Sequence, residues 1–325
     1  MARPSLSVVV PTHNRARYLP DAVDSALGQD GVDVEVVVVD NESTDHTPAV
    51  IERHAPRWGE RVVYLWQKNA ERAVARNRGM RHTHAEHVAF LDSDDVWRPH
   101  HARMCLAALR DHPDAVVAYG EYGLLAADGK VVRHHVPRPM SEGDQFRRDL
   151  CLKRLIIHPT EAVIGRSALG DDAFDEQSVG GEDWVLWATL ARRSRFQRVG
   201  VPTVWMRLHP RASSGGTARL TRGLLHAAEK VIETGLPHQL GISHTRIRAI
   251  NQMHCAYAYY LSGQRREASR LLVTALREWP GVSREAEFWR IWGRLCVGTH
   301  LSRRIRAARQ SGRGPSIEVA RPAAG

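Results

Sequence analysis

No stretch of the 325 residues approaches the eighteen or so consecutive apolar side chains that a membrane-spanning helix needs. The N-terminal "MARPSLSVVVPTHN" holds only a five-residue apolar run before turning polar, which argues against a secretory leader. Cysteine is scarce: Cys105, Cys151, Cys255 and Cys296 lie far apart with no CxxC spacing. That excludes a zinc ribbon or a dithiol redox motif and leaves reduced core thiols in a cytoplasmic chain. Lysine is nearly missing, with 4 of the 46 basic residues, while the hydrophobic share of 43% and charged share of 25% are those of an ordinary globular protein.

The net charge of +10 is unevenly spread. Residues 1–216 hold 28 Lys and Arg against 29 Asp and Glu, and residues 217–325 hold 18 against 7. The charge asymmetry divides the chain into a near-neutral part, 1–216, a basic helical part, 217–310, and a tail, 311–325, of disordered composition.

In the first part, short apolar runs alternate with helical patterns. "LSVVV" and "VEVVVV" are continuous and rich in β-branched residues, as strands covered on both faces of a parallel sheet are. Between them Leu19, Ala22, Val23, Ala26 and Leu27 recur at helical spacing. "RVVYLW", "HVAFL" and "AVVAYG" continue the strands, with helical "ERAVARNRGMRH" and "HHARMCLAALRDHP" between them. This alternation predicts an α/β doubly wound sheet, whose ligands sit beyond the carboxyl ends of the strands. Past Gly120 the pattern loosens: "LLAADGKVVRHH" reads as a hairpin, residues 137–160 as loops with a short amphipathic segment, and "EDWVLWATLARR" as a helix.

Three strand ends carry polar clusters. "VVVPTHN" ends at Thr12, His13 and Asn14, "VVVVDNESTD" at Asp40, and "AFLDSDD" at Asp92, Ser93 and Asp94, with Asp95 following. Any one of these could be a helix cap. Three on one sheet edge suggest a nucleotide site with a hard divalent cation, since Mg²⁺ and Mn²⁺ prefer carboxylate and phosphate oxygens.

The order "VVVPTHNR", "VVVDNESTD", "NAERAVARNRG", "FLDSDD", "GGEDWVLW", "RLHP" resembles family 2 glycosyltransferases of the GT-A fold over roughly the first 210 residues. The resemblance implies a nucleotide-binding GT-A sheet flanked by helices, here with a C-terminal helical extension. It also implies inverting transfer of a sugar from a nucleotide diphosphate donor, UDP- or dTDP-linked, with Mg²⁺ or Mn²⁺ as cofactor. By the same resemblance Thr12 packs on the nucleobase and ribose, Asp40 accepts the pyrimidine N3–H, and Arg76 and Asn77 line the donor pocket. Asp94 is then a direct metal ligand, Asp92 meets the ribose or a metal-bound water, and Ser93 lies between them in the donor site. Asp183 is the catalytic base, and His209 closes on the diphosphate or metal. The chain departs from the family at Asn41 and Glu42, where Asp-Gly is common, and at Glu71, where glycine is common.

Plainer readings stand beside these. Glu182 and Asp183 suit the first turn of any helix, His209 could be a loop residue, and Trp184 and Trp187 read as core. A sugar-nucleotide nucleotidyltransferase is the rival enzyme, but it needs a glycine-rich loop after the first strand, and "PTHNRARYLP" has no glycine. A non-catalytic helical scaffold for an acidic partner would be expected to lose its acidic motifs. In the basic part, "AYAYYLSGQRREASRLLVTALREWP" resembles one tetratricopeptide-type helix pair. The segment after it sets Phe288, Trp289 and Trp292 beside arginines, which suits either a peripheral membrane contact or packing on the enzyme. No nucleic-acid module accompanies the basic charge. The acceptor is open among saccharide, lipid-linked and natural-product hydroxyls.

Overall fold

The structure is a computed structural model that describes residues 4–68, 71–138, 140–170, 172–208 and 217–297. Two compact units divide it, residues 1–247 and 248–325.

The first unit begins with β1 (Leu6–Thr12), α1 (Leu19–Leu27), β2 (Val34–Asn41), α2 (Thr47–Trp58), β3 (Val62–Gln67), α3 (Arg72–Met80) and β4 (His87–Phe90). These four strands run parallel in the order β3-β2-β1-β4, as the alternating pattern predicts. One face, with Val8, Val10, Val36 and Val38, packs on Leu19, Ala22 and Val23 of α1 and Ile51 and Trp58 of α2. The other face takes α3 at close range. A Cβ on Gly79 would drive into the Val9 side chain and stand 3.0 Å from Val39 Cγ2, so only glycine lets this helix lie so near.

Past β4 the sheet becomes mixed. There follow β5 (Val96–Trp97), α4 (His101–Asp111), β6 (Ala115–Leu125), β7 (Val131–Arg133), α5 (Gly143–Cys151), β8 (Ala162–Gly165), α6 (Glu182–Ala191) and β9 (Arg195–Arg207). The short β8 lies antiparallel between β4 and β6, and β9 runs parallel to β6. The expected hairpin forms between β6 and β7, with Gly129 at φ +88° in its turn. β8 and β9 escape a periodicity reading because one is four residues long and the other mixes exposed and buried positions without alternation.

The charge boundary at 216/217 does not coincide with the boundary between compact units. α7 (Thr217–Glu233) and α8 (Leu236–Gln239) belong to the first unit. α7 seats its small residues against the turn before α6: a Cβ on Gly223 would lie 2.6 Å from the Val179 nitrogen, and one on Gly181 would lie 2.7 Å from Ala227 Cβ. The interface is shaped by these small side chains, to which a count of charges is blind.

In the second unit α9 (His244–Leu261, beginning just before the division), α10 (Arg265–Glu278) and α11 (Ala286–Val297) enclose Met253, Ala256, Leu272, Ala275, Phe288 and Ile291. Gly263, at φ +83°, makes the turn between α9 and α10. No helix among the described residues is long and apolar enough to cross a membrane. The expected disordered tail lies outside the described residues.

Candidate active site

The carboxyl ends of β1, β2 and β4 come together as predicted, because in a parallel sheet each strand delivers its end to the same edge. Thr12 pairs in register with Asp40. The loops after β1 and β2 are bolted to each other: Asn14 (φ +54°) accepts the Thr44 N–H at 2.7 Å and the Asp45 N–H at 3.2 Å, and the Asn14 N–H donates to Ser43 Oγ. The Arg15 and Ala16 N–H groups donate to the Thr47 hydroxyl and the Asp45 carboxylate.

Asp40 is fully buried, and its oxygens accept the Ser43 N–H at 2.9 Å and the Tyr64 hydroxyl at 3.0 Å. Burial and the Asp40 carboxylate both raise the phenol pKa of Tyr64. A base N–H reaching Asp40 must displace or share the Tyr64 hydroxyl. The Thr12 hydroxyl is buried and has no hydrogen-bond partner, so it keeps a donor and acceptor to offer.

Arg76 is the hub. Only 1% of its side chain is exposed, and it donates to Asp92 Oδ1 at 2.8 Å and to Glu182 Oε1 at 3.1 Å while lying over the Phe174 ring. This buried chain of charges joins the first carboxylate of the β4 cluster to the residue beside Asp183. Asn77 does something else. Its amide brackets the Phe174 backbone, accepting the N–H at 3.0 Å and donating to the C=O at 2.8 Å. It is buried and holds the loop before α6; it lines no open pocket.

The three carboxylates after β4 separate by environment. Burial raises the pKa of Asp92, but the Arg76 and Arg72 charges outweigh it and hold the group below its usual range. Asp94, one-fifth exposed, pairs with Arg15 at 3.2 Å. Asp95 is buried and accepts the Arg207 N–H at 3.0 Å, and burial with the charges of Asp92 and Asp94 pushes its pKa well above the usual range. It is a brace for β9, leaving two carboxylates rather than three toward the site. Ser93 is buried between them. Two solvent-reaching carboxylates are hard oxygen donors of the kind Mg²⁺ and Mn²⁺ take, so the donor set fits such an ion. Among the described residues no three His, Cys, Asp or Glu side chains converge as a ligand set. His209 lies outside the described residues.

Asp183 is half-buried in the first turn of α6, with Oδ1 accepting the Trp184 N–H at 2.8 Å. Burial first, and the neighbouring Glu182 charge second, raise its pKa to about 6. A carboxyl tuned that way is ionised at neutral pH yet basic enough to take a proton. Gly180 and Gly181 make room for α7: Gly180 sits at φ +77° beneath Leu220, and Gly181 packs on Ala227. Trp184 and Trp187 are core, as read, their indole N–H groups donating to the Leu150 and Ile157 carbonyls. Thr160 is buried, its hydroxyl accepting the Asp92 N–H, so it positions the cluster from behind.

Two cations were not singled out from the sequence. Arg72 opens α3 with its guanidinium 3.6 Å from Glu182 and just over half its side chain exposed. Burial of the group opposes its charge, but Glu182, Asp92, Asp183 and Asp94 outweigh that and hold the proton more firmly than usual. Arg15 is the other. Both lie inside quoted motifs, but only the fold shows that they face carboxylates from distant parts of the chain, Glu182 at the start of α6 and Asp94 after β4.

Solved structures of similar fold include Staphylococcus aureus TarS residues 1–349 in complex with UDP-GlcNAc, with a TM-score of 0.59 and 16% identity over 86% of this chain and 90% of that one. A mannosyltransferase from Pyrobaculum calidifontis, in complex with GDP-Man and Mn²⁺, matches with a TM-score of 0.52 and 20% identity over 90% and 84%. At these identities they establish the GT-A fold alone. A putative teichuronic acid biosynthesis glycosyltransferase of Bacillus subtilis, TuaG, is 34% identical over 193 residues, 59% of this chain and 73% of that protein. An uncharacterized glycosyltransferase of Nostoc is 40% identical over 189 residues, but the match spans only 56% of its length. The family model "Glycosyl transferase family 2" matches residues 7–171, half of the chain. With this match and the TuaG relative, the chain belongs to glycosyl transferase family 2 and is a glycosyltransferase.

Proposed function

We propose that the protein transfers a sugar from a nucleotide diphosphate donor to an acceptor hydroxyl with inversion at the anomeric carbon, assisted by Mg²⁺ or Mn²⁺. The observation that carries this reading is Asp183: a half-buried carboxyl raised to about pKa 6, beside Glu182, which Arg76 ties to Asp92. Asp183 takes the acceptor proton as the oxygen bonds to the anomeric carbon and the bond to the diphosphate breaks, with the electron pair leaving on the nucleotide diphosphate. Arg72 and the N-terminus of α3 favour that developing charge. Asp92 and Asp94 would hold the ion, which when bound neutralises diphosphate charge. Thr12 offers its hydroxyl to the nucleoside, and Asp40 takes a base N–H if Tyr64 yields.

The structural neighbours that bind UDP-GlcNAc and GDP-Man support a nucleotide-sugar donor without choosing the base. A saccharide acceptor is in keeping with the teichuronic acid relative. The test is a panel of nucleotide sugars scored for metal-dependent donor hydrolysis. Transfer to a simple saccharide by the donor that reacts then follows, with product configuration read by proton NMR. A product that retains the donor configuration would remove inversion and the role of Asp183.

A further inference from the structure

The segment Ile157–Glu161, just before β8, is pinned at both ends to the two halves of the reacting centre. The Ile157 carbonyl accepts the Trp187 indole N–H at 2.8 Å, one helical turn along α6 from Asp183. Three residues on, the Thr160 hydroxyl accepts the Asp92 N–H at 3.0 Å, and the Thr160 carbonyl accepts the Trp97 indole N–H at 2.8 Å. His158 lies between these anchors. Its four companions in the segment are buried, whereas its own side chain is partly exposed.

The backbone of His158 is fixed from behind. The Glu161 carboxylate accepts the His158 N–H at 2.7 Å. Glu161 is wholly buried, and both its oxygens accept from Arg138 Nη2 at 2.6 Å. Arg138 lies over the Tyr122 ring, which in turn meets the His158 ring edge to face at 5.8 Å between centroids. The charges of Asp92 and Arg72 both act on the imidazole, so it faces the reacting centre. Burial, the largest influence, lowers its pKa, so the ring is neutral at neutral pH.

We propose that His158 is a substrate-binding residue that hydrogen-bonds a sugar hydroxyl beside the bond being made and broken, and that Arg138 positions it through Glu161. This rests on the proposed function above. The nucleoside and the diphosphate are served from elsewhere, by Thr12, Asp40 and Arg72, so the ligand between Asp92 and α6 is a sugar. A hydroxyl both donates and accepts, and a neutral imidazole carries one N–H and one bare nitrogen to match it. Two sugars meet at this point, the transferred one and the acceptor, and both offer that chemistry.

The experiment compares full-length wild type, His158→Ala, His158→Gln and Arg138→Lys. UDP and GDP affinities are measured by calorimetry. Donor hydrolysis and transfer to a simple saccharide follow, with the nucleotide sugar that wild type turns over fastest in the panel. Leaving a site hydroxyl without its partner typically costs about five- to a hundredfold in an equilibrium or rate. His158→Ala should therefore lose about that much in kcat/KM for transfer, with nucleotide affinity and Tm unchanged. His158→Gln keeps a donor and an acceptor and should recover most of the loss. Arg138→Lys keeps the charge without the two-oxygen grip and should stand between wild type and His158→Ala in transfer. A loss shared by donor hydrolysis assigns the hydroxyl to the transferred sugar; a loss confined to transfer, with a raised acceptor KM, assigns it to the acceptor. Wild-type transfer by His158→Ala, nucleotide affinity that falls in step with activity, or a glutamine variant as poor as the alanine one overturns the role of His158. Wild-type kinetics in Arg138→Lys removes the positioning role of Arg138. A wild-type protein that hydrolyses no nucleotide sugar overturns the proposed function instead.

Discussion

Asp183→Asn separates catalysis from stability with opposite signs. The wild-type carboxyl rises from 3.8 to about 6 on folding, through burial and the Glu182 charge. It holds its proton more tightly in the folded chain than in the unfolded one. Its contribution therefore favours the fold below about pH 4, is lost as pH rises through about 6, and leaves an ionised, disfavoured group at neutral pH. A shift of about two units corresponds to at most about 3 kcal/mol, and partial exposure reduces this to roughly 1–2 kcal/mol. Asparagine never ionises, and its Oδ1 can keep the Trp184 N–H bond. The variant should be more stable than wild type at pH 7.5, by about 2–6 °C in Tm, and should converge with it below about pH 4. Its sugar transfer should fall by about 10²–10⁴-fold with nucleotide affinity retained. The wild-type kcat/KM should fall about tenfold per pH unit below about pH 6, because only the ionised form can accept the proton. Scanning calorimetry at pH 7.5 and 4, beside a pH–rate profile, decides the matter. An Asp183→Asn protein less stable than wild type at neutral pH, or one that transfers at wild-type rate, refutes the reasoning.

Arg76→Met leaves Glu182 and Asp92 charged beside an apolar side chain, and losing one partner of a buried pair costs about 3–5 kcal/mol; the urea midpoint should drop accordingly, and a drop worth under 1 kcal/mol would show that the network is relaxed by other groups. Gly223→Ala puts a methyl against the Val179 backbone and should cost about 1–3 kcal/mol while lowering transfer more than nucleotide affinity, since the turn that aims Asp183 moves; a variant with wild-type stability would mean α7 shifts freely. Trp289 and Trp292 on α11 are 58% and 37% exposed, with Arg290 and Arg294 also at the surface, so a Trp289→Ala, Trp292→Ala protein should float less well with anionic vesicles at low salt, whereas equal flotation argues for another role.

Local chemistry made the first half of the fold legible. Short, continuous runs of β-branched valine favour strands covered on both faces, so β1 and β2 and the helices between strands were readable, and with them the sheet edge that carries Thr12, Asp40 and Asp92. The acidic turn at Glu182 and Asp183 was readable too, because a helix dipole and a base need the same residues there. Tertiary structure alone decided what each polar residue does. Asp95 and Asp94 are neighbours in sequence, but one is buried against Arg207 and the other meets Arg15, a difference set by which way each side chain leaves the turn. Asn77 and Arg76 sit together in one motif, one gripping the Phe174 backbone and the other joining Asp92 to Glu182. The unit boundary moved past α7 because Gly223, Gly181 and Ala227 let two segments touch, and contact between small side chains leaves no trace in charge or periodicity. Strand periodicity depends on neighbours along the chain, whereas pKa, ion pairing and burial depend on neighbours across space, which only the folded chain supplies.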